Sequence, residues 1–425
     1  MYNGFMLLLR KKIKSLSKTE QLNKSIKQNK RLFIKLAIAI GTCVAFLMFL
    51  LILRASSVAA SEFITRTISN VLVSSIGILT SIIPVISLAE ILIFGGVLLL
   101  VFGITLSILN LKDRKFTLVL KRFMILVIIA ISCGSYFIIT TGFSYNRADI
   151  SNGITLSDSV PRGEEINSIA NFFMDDFIYV SERMERDKNG LTIVNYSFFR
   201  LGEMLRNEFR RLDGNPYFFM HTPRPKMFIN TWWFSTVGVA GMAFVPTGEG
   251  LTNSMPPTVG NIITMAHELA HTRGVMREND ADLVAFYILV TSSNPLFRYV
   301  GYMYSIRHLG TAVFLGNNLD TELSNAFFTR WPREAETDRN SVWLWWRNYR
   351  NANPINRAMR EVGNFFNHIY LILSGIREGT GNYGNFPDGH ETTEERDPET
   401  DRPIVIPRYN HVQRMFFAIY EAIHN

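Results

Sequence analysis

His267-Glu268-Leu269-Ala270-His271 decides how the rest of this chain is read. On a helix of 3.6 residues per turn, residues i and i+4 lie about 40° apart, so both imidazoles face one point. A zinc ion about 2 Å from each nitrogen fits that point. Glu268 follows the first histidine. It is badly placed as a third ligand but well placed to take a proton from a metal-bound water.

Catalytic zinc takes three protein ligands and leaves a position open. Downstream, Glu278 is the best third ligand, and Asp280 is an alternative. If one helix continued unbroken, Glu278 would sit about 10 Å along the axis from His271, out of reach. The chain must therefore turn back. Gly274 stands where a left-handed C-terminal cap would end the first helix, and a second helix is expected from about Arg277 to Val290. Asp282 lies one turn after Glu278. It can accept the free N–H of a zinc histidine and fix its tautomer.

Glu278-Asn279-Asp280-Ala281-Asp282 resembles the Glu-x-x-Ala/Ser-Asp element of the gluzincin metallopeptidases, such as thermolysin and neprilysin. The resemblance implies a zincin-like α+β catalytic domain that hydrolyses peptide bonds in peptide or protein substrates, with one Zn2+ per chain. It implies His267, His271 and Glu278 as ligands, Glu268 as general base and Asp282 behind a histidine. Only six residues separate His271 from Glu278, far fewer than in thermolysin. A second resemblance runs from about residue 32 to 385. It is to an uncharacterised family of bacterial multi-pass membrane proteins, a domain of unknown function with this short-spaced motif. Tyr145-Asn146-Arg147, Gly238-Val239-Ala240-Gly241, Pro246, Asn253, Phe297-Arg298-Tyr299, Tyr302 and Gly379-Thr380-Gly381-Asn382-Tyr383 carry it.

The charge is divided unevenly. Residues 1–146 hold 17 Lys+Arg against 4 Asp+Glu, and the remaining chain holds 27 against 32. The basic excess thus belongs to the membrane half, which argues against nucleic acid as a partner and for the positive-inside rule. Apolar runs at about 32–53, 86–111 and 123–143 are each long enough to cross the hydrocarbon core, making the lipid bilayer a partner. Nine Lys+Arg precede the first run, and Lys112, Arg114, Lys115, Lys121 and Arg122 separate the second and third. Residues 1–31 and the 112–122 loop are therefore expected in the cytoplasm, and residues 147–425 outside. The first run is too long for a signal-peptide core, so Val58-Ala59-Ala60 is read as part of a retained anchor. Residues 63–85, with Arg66, many Ser and Thr, and Pro84, read as an interfacial segment; if they spanned instead, the count would be four, residues 147–425 would face the cytoplasm, and the basic 112–122 loop would lie outside, against the positive-inside rule. Cys43 and Cys133 both fall inside spans, so the outer domain has no disulfide, as suits a bacterial envelope.

The outer domain is expected to be mainly α with a small β-sheet. Two helices are expected within 163–213, strands from Phe228 to Pro246, and the zinc helix from about Thr258 to Arg273. The strand at Thr236–Val245 is expected to edge the cleft and pair with an extended substrate. Further helices are expected at 296–314, 341–350, 354–376 and 404–424. Residues 385–402, with seven acids and two prolines, read as an acidic loop. Amide hydrolysis also needs an oxyanion stabiliser beside the metal, for which Tyr302, His308 and Tyr383 are candidates. Glu249 reads as a solvated turn residue and Glu90 as a hydrated carboxylate near a membrane surface. The motif helix is flanked by charges, which excludes a site-2-type intramembrane protease. A catalytically inactive zinc-binding sensor or scaffold is the alternative to the peptidase, and retention of Glu268 argues against it.

Overall fold

The computed structural model describes residues 2–373, 386–396 and 403–424. It is mostly helical. The chain begins with α1 (Tyr2–Ser56), α2 (Val58–Ile64) and α3 (Asn70–Ser81), the last two joined by a π-turn, and continues with α4 (Leu88–Lys112) and α5 (Phe116–Thr140). Among the described residues, four helical stretches are long and apolar enough to cross a membrane: Asn29–Ser56, Val58–Ser81, Leu88–Lys112 and Phe116–Thr140. The chain divides into two compact units. One comprises the helices up to Ser56 and Phe94–Ile138, and the other comprises Ser57–Ile93 and the chain from Ile139 onward.

In residues 29–56 and 94–138 of the first unit most leucines, isoleucines and valines are exposed or half-exposed, the reverse of a water-soluble bundle. The second unit contains α6 (Glu164–Ser181), α7 (Phe198–Phe209), β1 (Lys226–Met227), α8 (Thr231–Val237), β2 (Gly241–Phe244) and β3 (Glu249–Thr252). Then follow α9 (Thr258–Thr272), α10 (Glu278–Val290), α11 (Pro295–Ser305), α12 (Arg307–Gly316), α13 (Thr321–Thr329), α14 (Arg333–Asn351) and α15 (Pro354–Leu373). β4 (Gly389–Arg396), β5 (Pro403–Arg408) and α16 (His411–His424) complete it. Its core gathers Phe173 and Phe177 of α6, Ile262, Met265 and Leu269 of α9, Val284 and Ile288 of α10, and Phe416 and Phe417 of α16. The sheet runs β1-β3-β2, with β1 parallel and β2 antiparallel to β3. β2 is its edge, and β3 lies against α9.

Several expectations are corrected. Residues 231–237 are helical, and the edge strand is only Gly241–Phe244. The Glu90 carboxylate accepts the N–H groups of Ile229 (2.7 Å) and Asn230 (2.9 Å), which caps the start of α8. Gly238, at φ +78°, ends that helix with a left-handed turn. Part of the expected acidic loop is strand, because β4 pairs antiparallel with β5. That pairing also replaces the first turn of the helix expected at 404–424. The helix expected at 296–314 breaks between Ser305 and Arg307.

The segment expected at the interface packs on the second unit. Asn70 Oδ1 accepts from the N–H of Met220 (2.8 Å), Ser81 Oγ from that of Arg224 (3.2 Å), and Val73 is buried with Phe219 and Val245. Glu90 is fully buried, not hydrated. Glu249 is fully buried as well. It takes the N–H groups of Leu88 (3.0 Å) and Ala89 (2.8 Å), the Thr247 hydroxyl (2.7 Å) and the Lys226 ammonium (2.6 Å). Lys226 also donates to the Ile86 carbonyl at 2.6 Å. These bonds satisfy a carboxylate and an ammonium that water cannot reach.

Lys226→Met removes one partner and leaves Glu249 as a buried uncompensated charge. Stability of the full chain in detergent is expected to fall by about 3–5 kcal/mol. Thermal unfolding measures it, and Lys226→Met combined with Glu249→Leu is expected to recover part of the loss.

Candidate metal centre

The site is made by one chain reversal. α9 ends in a Schellman motif: the Gly274 N–H donates to the His271 carbonyl (3.0 Å) and the Val275 N–H to the Ala270 carbonyl (3.3 Å). Gly274 has φ +87°, and a Cβ there would lie 2.7–3.0 Å from the Phe219 ring, so only glycine suits both the backbone and the packing. Val275 and Met276 are buried beyond the turn, and α10 starts at Glu278. The helix break thus brings Glu278 back beside the two histidines.

His267, His271 and Glu278 are the one cluster among the described residues whose ligand atoms converge closely enough to hold a metal ion. His267 Nε2 and His271 Nε2 are 3.0 Å apart, and Glu278 Oε2 is 3.1 Å from the first and 3.4 Å from the second. Around a tetrahedral zinc with bonds of 2.0–2.1 Å, ligand atoms are about 3.3 Å apart. The triangle has that size.

Both rings are fixed from behind. The His267 Nδ1–H donates to Asp282 Oδ1 (2.7 Å) and the His271 Nδ1–H to the Val275 carbonyl (2.7 Å). Each Nε2 lone pair is thereby turned toward the centre. The cluster is nearly closed: side-chain exposure is 13% for His267, 10% for His271 and 6% for Glu278.

Burial and charge set the proton affinities. Burial works against a charged His267, but the Asp282 and Glu278 carboxylates outweigh it and hold this imidazole well above its ordinary range. Burial works against an ionised Glu278, but the two histidines reverse the effect and hold it well below the usual carboxylate range. Glu268 moves the other way. Its burial raises it, and the histidines and the Ala243 N–H only partly offset this. Two buried glutamates and Asp282 surround two imidazoles, a donor set that a divalent cation would neutralise. The residues present therefore fit a zinc ion in ligand type, spacing and charge.

Asp280, the alternative ligand, is outside the cluster. Its Oδ2 is 3.5 Å from an Arg277 guanidinium nitrogen. Burial raises it to about 6, with Arg277 opposing and Asp149 reinforcing. The two described oxyanion candidates have other duties. The Tyr302 hydroxyl donates to Asp176 (2.7 Å) inside the aromatic core. His308 packs between Phe286 and Phe386, and burial lowers it to about 4. Neither is hydrogen-bonded to the cluster. Tyr383 lies outside the described residues.

The residues that sequence reading missed are mostly main-chain groups. The Val275 carbonyl and the Ala243 N–H carry no side-chain signature. Gly241 does carry one, because a Cβ there would run into Glu268 Oε1 and Thr264. Arg147 is a further supporting residue. It donates to the Gly274 carbonyl (3.1 Å), pairs with Glu62 (2.7 Å) and covers the Tyr217 ring (3.9 Å). Arg277 in turn donates to the Arg147 carbonyl at 2.7 Å. The reversal is thus tied to the start of the second unit.

Residues 64–388 match the model of a family described as a protein of unknown function, DUF3810. The chain belongs to this family. No curated protein and no solved structure matches it. The family match covers α3 to α15 and includes the whole cluster.

Two outcomes follow from this geometry. Gly274→Ala is expected to cost about 1–3 kcal/mol, from the left-handed backbone and the Phe219 contact; chemical unfolding of the full chain measures it. The Asp280 carboxyl is raised in the fold, so its favourable contribution is present below its unfolded value and is lost as pH rises through about 6. Asp280→Asn should therefore raise the melting temperature at pH 8 and leave it unchanged near pH 4.

Proposed function

We propose that the chain is a membrane-anchored zinc metallopeptidase of gluzincin type. The observation that carries this reading is the convergence of three ligand atoms beside a buried, separately held carboxylate. Zinc bound by His267, His271 and Glu278 would lower the pKa of its water and polarise a substrate carbonyl. Asp282 and the Val275 carbonyl keep both imidazoles in the ligating tautomer. Glu268 is not a member of the ligand triangle, and burial raises its proton affinity. It is therefore suited to take a proton from the attacking water and return it to the leaving amine. β2, the sheet edge, reaches Glu268 through Ala243, so a substrate strand paired with it would pass the base.

The topology belongs to the same proposal. On this reading the α2–α3 segment, which packs on the second unit, stays out of the membrane core, and α1, α4 and α5 are the three passes; a fourth pass through Val58–Ser81 would turn the second unit to the cytoplasm. With the basic N-terminus and the 112–122 loop in the cytoplasm, three passes put the second unit outside. The small exposure of the ligands favours a second reading, a zinc-binding sensor without hydrolysis.

Glu268→Gln separates the two. The purified full chain is expected to hold one zinc in both forms, while peptide cleavage by the variant falls at least about 100-fold. Equal cleavage by wild type and variant would remove the peptidase reading. Zinc in both with no cleavage of a broad peptide library would favour the sensor.

A further inference from the structure

Away from the metal cluster, α8 and α15 present an apolar face. α8 is held at its start by Glu90, in the first turn of α4, a helix able to cross a membrane. On and just before α8, Ile229 is 54% and Trp232 is 65% exposed. α15 packs on α8: a Cβ on Gly363 would run into the Val237 carbonyl, and Arg360 donates to the Gly238 carbonyl. Near its other end, the Tyr370 and Tyr145 hydroxyls are 3.1 Å apart, and Leu371 is buried with Tyr145 and Val73 of α3. Tyr145 closely follows the end of α5 at Thr140. α15 is thus tied at two places along its length, to α8 and to the Tyr145–Val73 cluster.

The outward face of α15 is apolar. Ile355, Val362, Ile369 and Ile372 are all exposed, and at 100° per residue they fall within an arc of about 100°. Charge supplies an independent observation. Besides Arg360, which is turned to α8, residues 340–373 contain Arg347, Arg350 and Arg357 against Glu361 alone, although the chain beyond residue 146 is acidic as a whole. Arginines and tryptophans beside an aliphatic stripe are what a helix in a membrane surface presents, with the cations toward anionic headgroups.

We propose that the α8–α15 face lies in the headgroup–acyl boundary of the bilayer, holding the second unit flat against an anionic membrane surface. This does not depend on whether the metal cluster hydrolyses anything. The test uses the full chain with Cys43→Ala and Cys133→Ser, carrying a nitroxide at Val362→Cys or at Ile369→Cys. Lys188→Cys, in an exposed polar turn, is the reference. Each is reconstituted into vesicles of phosphatidylethanolamine and phosphatidylglycerol. Collision rates are read with oxygen, which concentrates in lipid, and with a nickel chelate, which stays in water. At both test sites oxygen is expected to exceed nickel, inverting the ratio found at Lys188→Cys. Nickel exceeding oxygen at both sites would put the face in water and overturn the proposal. Low collision with both reagents would show a protein cover, such as a second copy of the chain, and would also overturn it.

Discussion

Everything at the His267–His271–Glu278 cluster depends on the reversal of the chain at Gly274. Without it, Glu278 would continue along α9, a full helical distance from His271. The Schellman turn does two jobs with the same atoms. It satisfies the last carbonyls of α9, and it delivers the Val275 carbonyl to His271 Nδ1. The short spacing between His271 and Glu278 is therefore sufficient, because no residue in the turn is spare. Arg147 bonds to the Gly274 carbonyl and Arg277 to the Arg147 carbonyl, so the turn is braced from outside as well.

The second constraint is the way the segment before α4 is held. Glu249 of the sheet caps α4, and Glu90 of α4 caps α8. Each carboxylate is buried and answers N–H groups that a helix start leaves without partners. The exchange makes residues 57–93 part of the second unit, although by composition they look like membrane sequence. A fragment beginning at residue 147 would lose Glu62, Glu90 and α3 together, so the unit that carries the His267–His271–Glu278 cluster is longer than residues 147–425 alone.

The sequence made some features plain and hid others for physical reasons. His267, Glu268 and His271 are readable because their spacing on one helix fixes their geometry. Glu278 and Asp282 are readable because Gly274 marks where that helix stops. The long apolar runs of α1, α4 and α5 are readable from hydropathy. Hidden features depend on long-range partners. Glu90 and Glu249 look like surface acids until the helix starts they cap are seen. Trp232–Thr236 has the composition of a strand but lies in a short helix entered through Ile229 and Asn230, whose N–H groups Glu90 holds. β4 was obscured by its acidic residues, which favour solvent until β5 pairs with it. Tyr302 and His308 carry the right chemistry, but their burial in the core commits them elsewhere.

The most direct test of the metal centre is crystallographic. Diffraction data from the full chain would be recorded on both sides of the zinc absorption edge. One anomalous peak is expected, at bonding distance from the Nε2 atoms of His267 and His271 and from a Glu278 oxygen, with Asp280 outside the coordination sphere. A peak elsewhere in the molecule, or none in protein crystallised with excess zinc, would contradict the assignment.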